Sequence, residues 1–276
     1  MSDLDFCLDI LRRHDRERYL ASLLLPPEAR ADITVLYAFN AEISRLREIV
    51  SEPMPGEIRL QWWRDALLGE RKSEAMGHPL ARALSQVIRQ RDLPHAAFDT
   101  ILTARTFDLY DDPIPTLEAF EAYAGETESL LFQLTALILG KTSSDALADT
   151  SGHAGVAVGV ASVLRHFARD AARGQLYLPL SILESHDLSR EKVLNGEGGR
   201  ALAAAMSEFA SFGRMHREKA EAALARLPSS MKPVFLPLCL TEPIFRKVGK
   251  PGFDPLRDRV ALSQIKAQWL LWRGFR

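Results

Sequence analysis

The chain has 276 residues, 47% of them hydrophobic, and a formal net charge of −1. That length suits one large domain or two small ones, with enough apolar residues for an ordinary core. The balanced charge argues against a nucleic-acid partner, no apolar run nears the roughly 20 residues a spanning helix needs, and the opening MSDLDFCLDILRR reads as neither signal nor transit peptide. A cytoplasmic protein is the expectation. Cys7 and Cys239 lack a CxxC partner and sit beside apolar residues, so both read as structural thiols.

Helical spacing dominates the chain. Pro26, Pro27 and Glu28 open a helix predicted over 26–50, in which Leu36, Phe39, Ile43, Leu46 and Val50 form one buried stripe. Pro53-Met54-Pro55-Gly56 reads as a break before a second helix over 57–68. Segments 79–90 and 94–109 make a helical pair, 111–115 is a loop, and Thr116 opens the next helix before an apolar stretch over 127–139. Between Ser151 and Arg173, Gly152, Gly155 and Gly159 alternate with alanines, which points to a central helix closely approached by its neighbours. A long helix over 200–227 places Leu202, Met206, Phe209 and Gly213 on one face. The last helix carries Leu262, Ile265, Trp269 and Trp272 with Lys266, Arg273 and Arg276; its spacing reads as a core seam, with a membrane-interface helix as the alternative. No segment alternates with the period of a strand. The expectation is one all-α domain over 1–276, a helical bundle around a central cavity.

Two helical faces concentrate polar residues. Tyr37, Asn40, Ser44 and Glu48 share one face, and Ser162, His166, Asp170 and Arg173 share another. His166 and Asp170, one turn apart, can share a metal ion with Glu48 across a cavity; a self-paired His166–Asp170 couple is the alternative. Arg45, Arg47, Arg165 and Arg169 can clamp a diphosphate or a lipid head group without metal, or form a solvated charge run.

The two segments, LYAFNAEISRLREIVSEP from Leu36 to Pro53 and VLRHFARDAARGQLYLP from Val163 to Pro179, together resemble the squalene/phytoene synthase family. The resemblance implies an isoprenoid-synthase-like fold with two motif helices facing a cavity. In the family, Asp-rich motifs on both helices hold Mg²⁺, which draws a diphosphate off a prenyl substrate. Aligned by their flanks, the carboxylate positions fall on Ser44 and Glu48 in the first motif and on His166 and Asp170 in the second, so each pair has lost its first carboxylate. Arg45 and Arg169 stand where the family often has a further acid. Arg165, Gly174, Tyr177, Leu178 and Pro179 keep the second motif's pattern, and Arg30 follows the entry to the first. Tyr37, Asn40, Ser44, His166 and Tyr177 are thus cavity candidates; Arg30, Arg45, Arg165 and Arg169 are ligand or diphosphate candidates; Glu48, Asp170 and His166 are metal candidates. Mg²⁺ is the implied cofactor if synthase chemistry persists, and none otherwise.

A narrower resemblance lies in Ala38-Phe39-Asn40-Ala41-Glu42, Val50-Ser51-Glu52 and Arg59-Leu60-Gln61-Trp62-Trp63. These are similar to a diverged branch of the family that includes a mitochondrial assembly factor for respiratory complex I. The branch implies a non-catalytic or differently catalytic protein acting early in biogenesis of a membrane subunit, and the expectation is a non-catalytic factor in assembly of NADH:quinone oxidoreductase with a membrane-protein partner. Association with the inner membrane is expected to be peripheral rather than integral. Two alternatives stay open: a head-to-head prenyltransferase, and a metal-independent binder of prenyl diphosphate or lipid.

Overall fold

The computed structural model describes residues 1–69, 71–140 and 144–275, and Arg276 lies outside them. Among the described residues the regular elements are all helical. In chain order they are α1 (Asp3–His14), α2 (Arg16–Ser22), α3 (Pro27–Ser44), α4 (Leu46–Ile49), α5 (Pro53–Leu68), α6 (Lys72–Gly77), α7 (Pro79–Gln90) and α8 (His95–Thr106). There follow α9 (Leu117–Ala124), α10 (Leu130–Ile138), α11 (Asp145–Ala171), α12 (Leu180–Ser185), α13 (Arg190–Leu194), α14 (Gly199–Leu224), α15 (Thr241–Val248) and α16 (Gln264–Phe275). A π-helical turn, Gly125–Ser129, joins α9 to α10, and Ser229–Leu240 is a 3₁₀ segment.

The helix predicted over 26–50 is interrupted. Arg45 leaves helical geometry at φ −99° and ψ 4°, so α3 ends at Ser44 and α4 restarts at Leu46. The apolar stripe survives the break, with Leu36, Phe39, Ile43, Leu46 and Val50 all buried. The expected break at 53–56 is the start of α5 instead, because proline in a first turn lacks only an N–H that would have no helical acceptor there.

The long helices α11 and α14 form the central pair of the bundle. Small residues let their neighbours in close, the π-helical turn at Gly155 and α11 with α15 at Gly213. A Cβ on Gly155 would lie 2.5 Å from the backbone nitrogen of Ser129, and one on Gly213 would lie 2.7 Å from both Phe245 and Val160. Gly152 meets nothing within 4 Å, so its smallness serves no contact. At the other end of the bundle Trp63 is buried and Trp62 half-buried, both packed near His78 with ring centroids 5.6 and 5.4 Å away. Cys7 and Cys239 are free thiols, the first buried and the second half-buried.

The seam expected along the last helix is corrected. Ala267 and Leu271 face inward, while Ile265, Trp269 and Trp272 are exposed. Leu262 precedes the helix and packs half-buried against the same cluster as Ala267 and Leu271, so the outer stripe consists of Ile265, Trp269 and Trp272.

Candidate functional site

A cavity of about 500 Å³ opens between the end of α3 with α4 on one side and α11 on the other, with the α1–α2 junction and the π-helical turn completing its wall. Asn40, Ser44, Arg45, Glu48, Arg165, His166, Arg169, Asp170 and Tyr177 line it. Tyr37 and Arg30 do not, contrary to expectation. Tyr37 is 2% exposed and lies in the core, with the Arg18 guanidinium 5.7 Å from its ring. Arg30 turns back to the preceding loop and donates from Nε and Nη2 to the Leu25 carbonyl at 3.2 and 2.9 Å.

At the mouth, the break at Arg45 sets α4 opposite the end of α11. Arg169 donates from Nη1 to Glu48 Oε1 at 2.8 Å and from Nε to Asp170 Oδ1 at 3.0 Å, and Arg173 stands 3.6 Å from the same Glu48 oxygen. Glu48 and Asp170 are the two carboxylates that survive in the motifs, and a guanidinium occupies the space a shared cation would need. Arginine accepts no hydrogen bond and keeps its charge, so it cannot become a metal ligand. Burial raises the Asp170 carboxyl above its ordinary range even beside Arg169.

His166 does not pair with Asp170. Its Nδ1 contacts Ser162 Oγ at 3.5 Å. Burial, then the charges of Arg165 and Arg169, push its pKa well below the ordinary 6.5, which makes it neutral. Among the described residues no group of three or more His, Cys, Asp or Glu side chains is arranged to hold a metal ion, so Glu48, His166 and Asp170 are not brought together as a ligand set. These residues do not fit a Mg²⁺ cluster: the first carboxylate of each motif is Ser44 or His166, and Arg169 neutralises what remains.

The other predicted arginines are largely committed to partners. Arg165 pairs with Glu17, Arg45 with Glu42 at 3.5 Å, and Arg47 with Asp111 at 3.3 Å. The cationic clamp is therefore balanced by acids already in place.

Deeper in the cavity lies a buried network of which the sequence reading named only Asn40. Arg105 donates to Asp108 at 3.1 Å, to Tyr123 at 2.8 Å and to Asn40 at 3.4 Å, with Glu128 3.7 Å away. Tyr123 in turn donates to Asp108 at 2.6 Å, and Gln175 donates to the Asp108 carbonyl at 2.9 Å. Arg18 bridges Glu128 and Asp15, the latter at 2.8 Å. Burial opposes the charge on both arginines, but their acidic and phenolic neighbours outweigh it and hold them protonated. Burial likewise raises the Tyr123 and Tyr177 hydroxyls well above the usual phenol range, so both stay neutral. One signal for this network was legible: Arg105 and Asp108 interrupt a helical segment, and Glu128 an apolar stretch, at positions the fold buries.

The helical architecture and its central cavity are those of the isoprenoid-synthase-like class. A squalene synthase of Alicyclobacillus acidocaldarius superimposes with a TM-score of 0.74 at 21% identity, over 90% of this chain and 95% of that one. The squalene/phytoene synthase family model matches residues 11–272, and the chain belongs to that family. Its relatives differ in what they are named for. The complex I assembly factor 6 of Rattus norvegicus is 30% identical over 97% of this chain and 81% of its own length. A phytoene synthase of Thermus thermophilus is 26% identical over 97% of this chain and 91% of its own length.

Proposed function

We propose that this chain is a non-catalytic member of the squalene/phytoene synthase family that acts in the assembly of NADH:quinone oxidoreductase, respiratory complex I. One observation carries the reading: the Arg169 guanidinium sits between Glu48 and Asp170, where the family's chemistry requires cations held by carboxylates. The relative named for complex I assembly supports it from outside the site, through its match over nearly the whole chain. In this proposal the protein works in the cytoplasm, peripheral to the inner membrane, and its partner is a membrane subunit of the complex or an early assembly intermediate.

The test is deletion of the gene in its source organism, followed by native-gel measurement of assembled NADH:quinone oxidoreductase. We expect assembled complex to fall and to return with the wild-type gene. Normal levels in the deletion strain would reject the proposal. In parallel, the purified protein with Mg²⁺ and farnesyl or geranylgeranyl diphosphate should release no pyrophosphate; hydrocarbon product would instead support a head-to-head prenyltransferase.

A second reading, metal-independent binding of a prenyl diphosphate or lipid head group, has one observation in its favour. The Nε atoms of Arg18, Arg45, Arg105 and Arg165, all from residues that line the cavity, are buried without an acceptor. An anionic ligand would supply acceptors. Thermal stabilisation by prenyl diphosphates that survives EDTA supports this reading, and no shift across the series rejects it.

A further inference from the structure

Ile265, Trp269 and Trp272 follow one another along α16 at spacings of four and three, which aligns them on one side of the helix. They are 80%, 51% and 45% exposed. The opposite side is anchored: Ala267 and Leu271 are buried in a cluster with Leu20, Leu236 and Leu240. The helix is thus fixed to the body by one face and presents two indoles and an isoleucine on the other.

A groove between α15 and α16 runs beside this ridge. Arg217, Arg246, Lys247, Lys250, Lys266 and Arg273 line it, against two acids, Glu221 and Glu242. Glu221 pairs with Arg217 at 2.5 Å, and Glu242 with Arg214 at 3.2 Å and more loosely with Arg246 and Arg217 at 3.6 and 3.7 Å, so the excess of positive charge rests on Lys247, Lys250, Lys266 and Arg273. The Arg273 guanidinium also lies 5.4 Å from the Trp269 ring, so cation and aromatic are presented together.

An apolar ridge with tryptophans, bordered on one flank by basic side chains, has the chemistry of a helix that lies in the surface of an anionic bilayer. The indole is an apolar body with one donor, suited to the headgroup layer, and the ammonium and guanidinium groups suit lipid phosphates. A protein partner would also cover the ridge; the excess of cations beside it favours a polyanionic surface. We infer that the Ile265–Trp269–Trp272 face of α16, with its basic groove, docks this protein on an anionic phospholipid surface. Docking of this kind needs no spanning segment, and no described helix is long and apolar enough to cross a membrane.

The test uses the full chain and vesicles of phosphatidylcholine, alone or with about 30 mol% phosphatidylglycerol. The protein should sediment with the anionic vesicles at least about tenfold more tightly than with the neutral ones, and high salt should weaken that binding. The double variant Ile265→Ser/Trp269→Ser should lose binding to both, and Lys266→Glu/Arg273→Glu should lose the preference for anionic lipid. All four positions are exposed, so thermal unfolding should stay at the wild-type temperature. As a second measurement on the wild type, lipids brominated near the headgroup should quench tryptophan emission. No sedimentation with anionic vesicles, undiminished binding by the Ile265/Trp269 variant, or absence of quenching would each overturn the inference; a face built for a protein partner gives the first of these.

Discussion

The Arg169 guanidinium bridges Glu48 on α4 and Asp170 on α11, 2.8 Å from the first carboxylate and 3.0 Å from the second. These are the last motif carboxylates on two separate elements, and their negative charge is spent on a fixed organic cation. A divalent ion would have to displace that cation and find further hard ligands at Ser44 and His166. The cavity is present, and its mouth is held by this ion pair.

Restoring the lost acids should therefore restore metal affinity. In Ser44→Asp/His166→Asp/Arg169→Asp, calorimetry with Mg²⁺ should detect binding where the wild-type protein is silent at the same concentrations. Equal heats from the two proteins would show that the present residues hold the ion without the missing carboxylates.

Arg105 is the hub of the buried network, and its removal strands Asp108 and Glu128 away from water. Arg105→Ala should lower the unfolding free energy by about 3–5 kcal/mol, the range for breaking a buried ion pair from one side. Urea denaturation gives the value. A loss of about 1 kcal/mol or less would mean that water reaches the network, and the site would have to be redrawn as solvated.

His166 is held neutral by burial and by the two arginines beside it. Its folded pKa is depressed, so it contributes stability that is present above the ordinary 6.5 and lost as pH falls toward the folded value. Stability of the wild type measured from about pH 7 to about pH 5 should drop more steeply than that of His166→Gln, which has nothing to protonate. Parallel curves would place the ring in contact with solvent.

Two glycines one turn apart on α11 should respond in opposite directions. Gly155→Ala places a methyl against the Ser129 backbone, 2.5 Å from its nitrogen, and should cost about 1–3 kcal/mol. Gly152→Ala has open space around it and should gain about 0.5–1 kcal/mol from helix propensity. Chemical denaturation of the two variants checks both signs, and a stable Gly155→Ala would contradict the close approach of the π-helical turn.

Local pattern was enough for much of the fold. The apolar stripe of α3, the small residues of α11 and the Thr116 cap are each written within a few residues of sequence, because helix periodicity and capping act over one or two turns. The broken motifs were equally legible, since Ser44 and His166 are read directly at their positions. The break at Arg45 was not, because neither proline nor glycine marks it and the stripe continues through it.

What the sequence by itself determined is the helical class, the family pattern and the loss of one carboxylate from each motif, all properties of neighbouring residues. The tertiary structure decided the rest. It turned Arg30 and Tyr37 away from the cavity, set Arg169 between Glu48 and Asp170, and closed Arg105, Asp108, Tyr123 and Glu128 into one buried network. It also chose which side of α16 faces the solvent. The partners that decide the site lie far apart in sequence, Glu48 with Arg169 and Arg105 with Asn40 and Glu128, and the charge of a side chain says nothing of such a bridge until packing brings the opposite charge within about 4 Å.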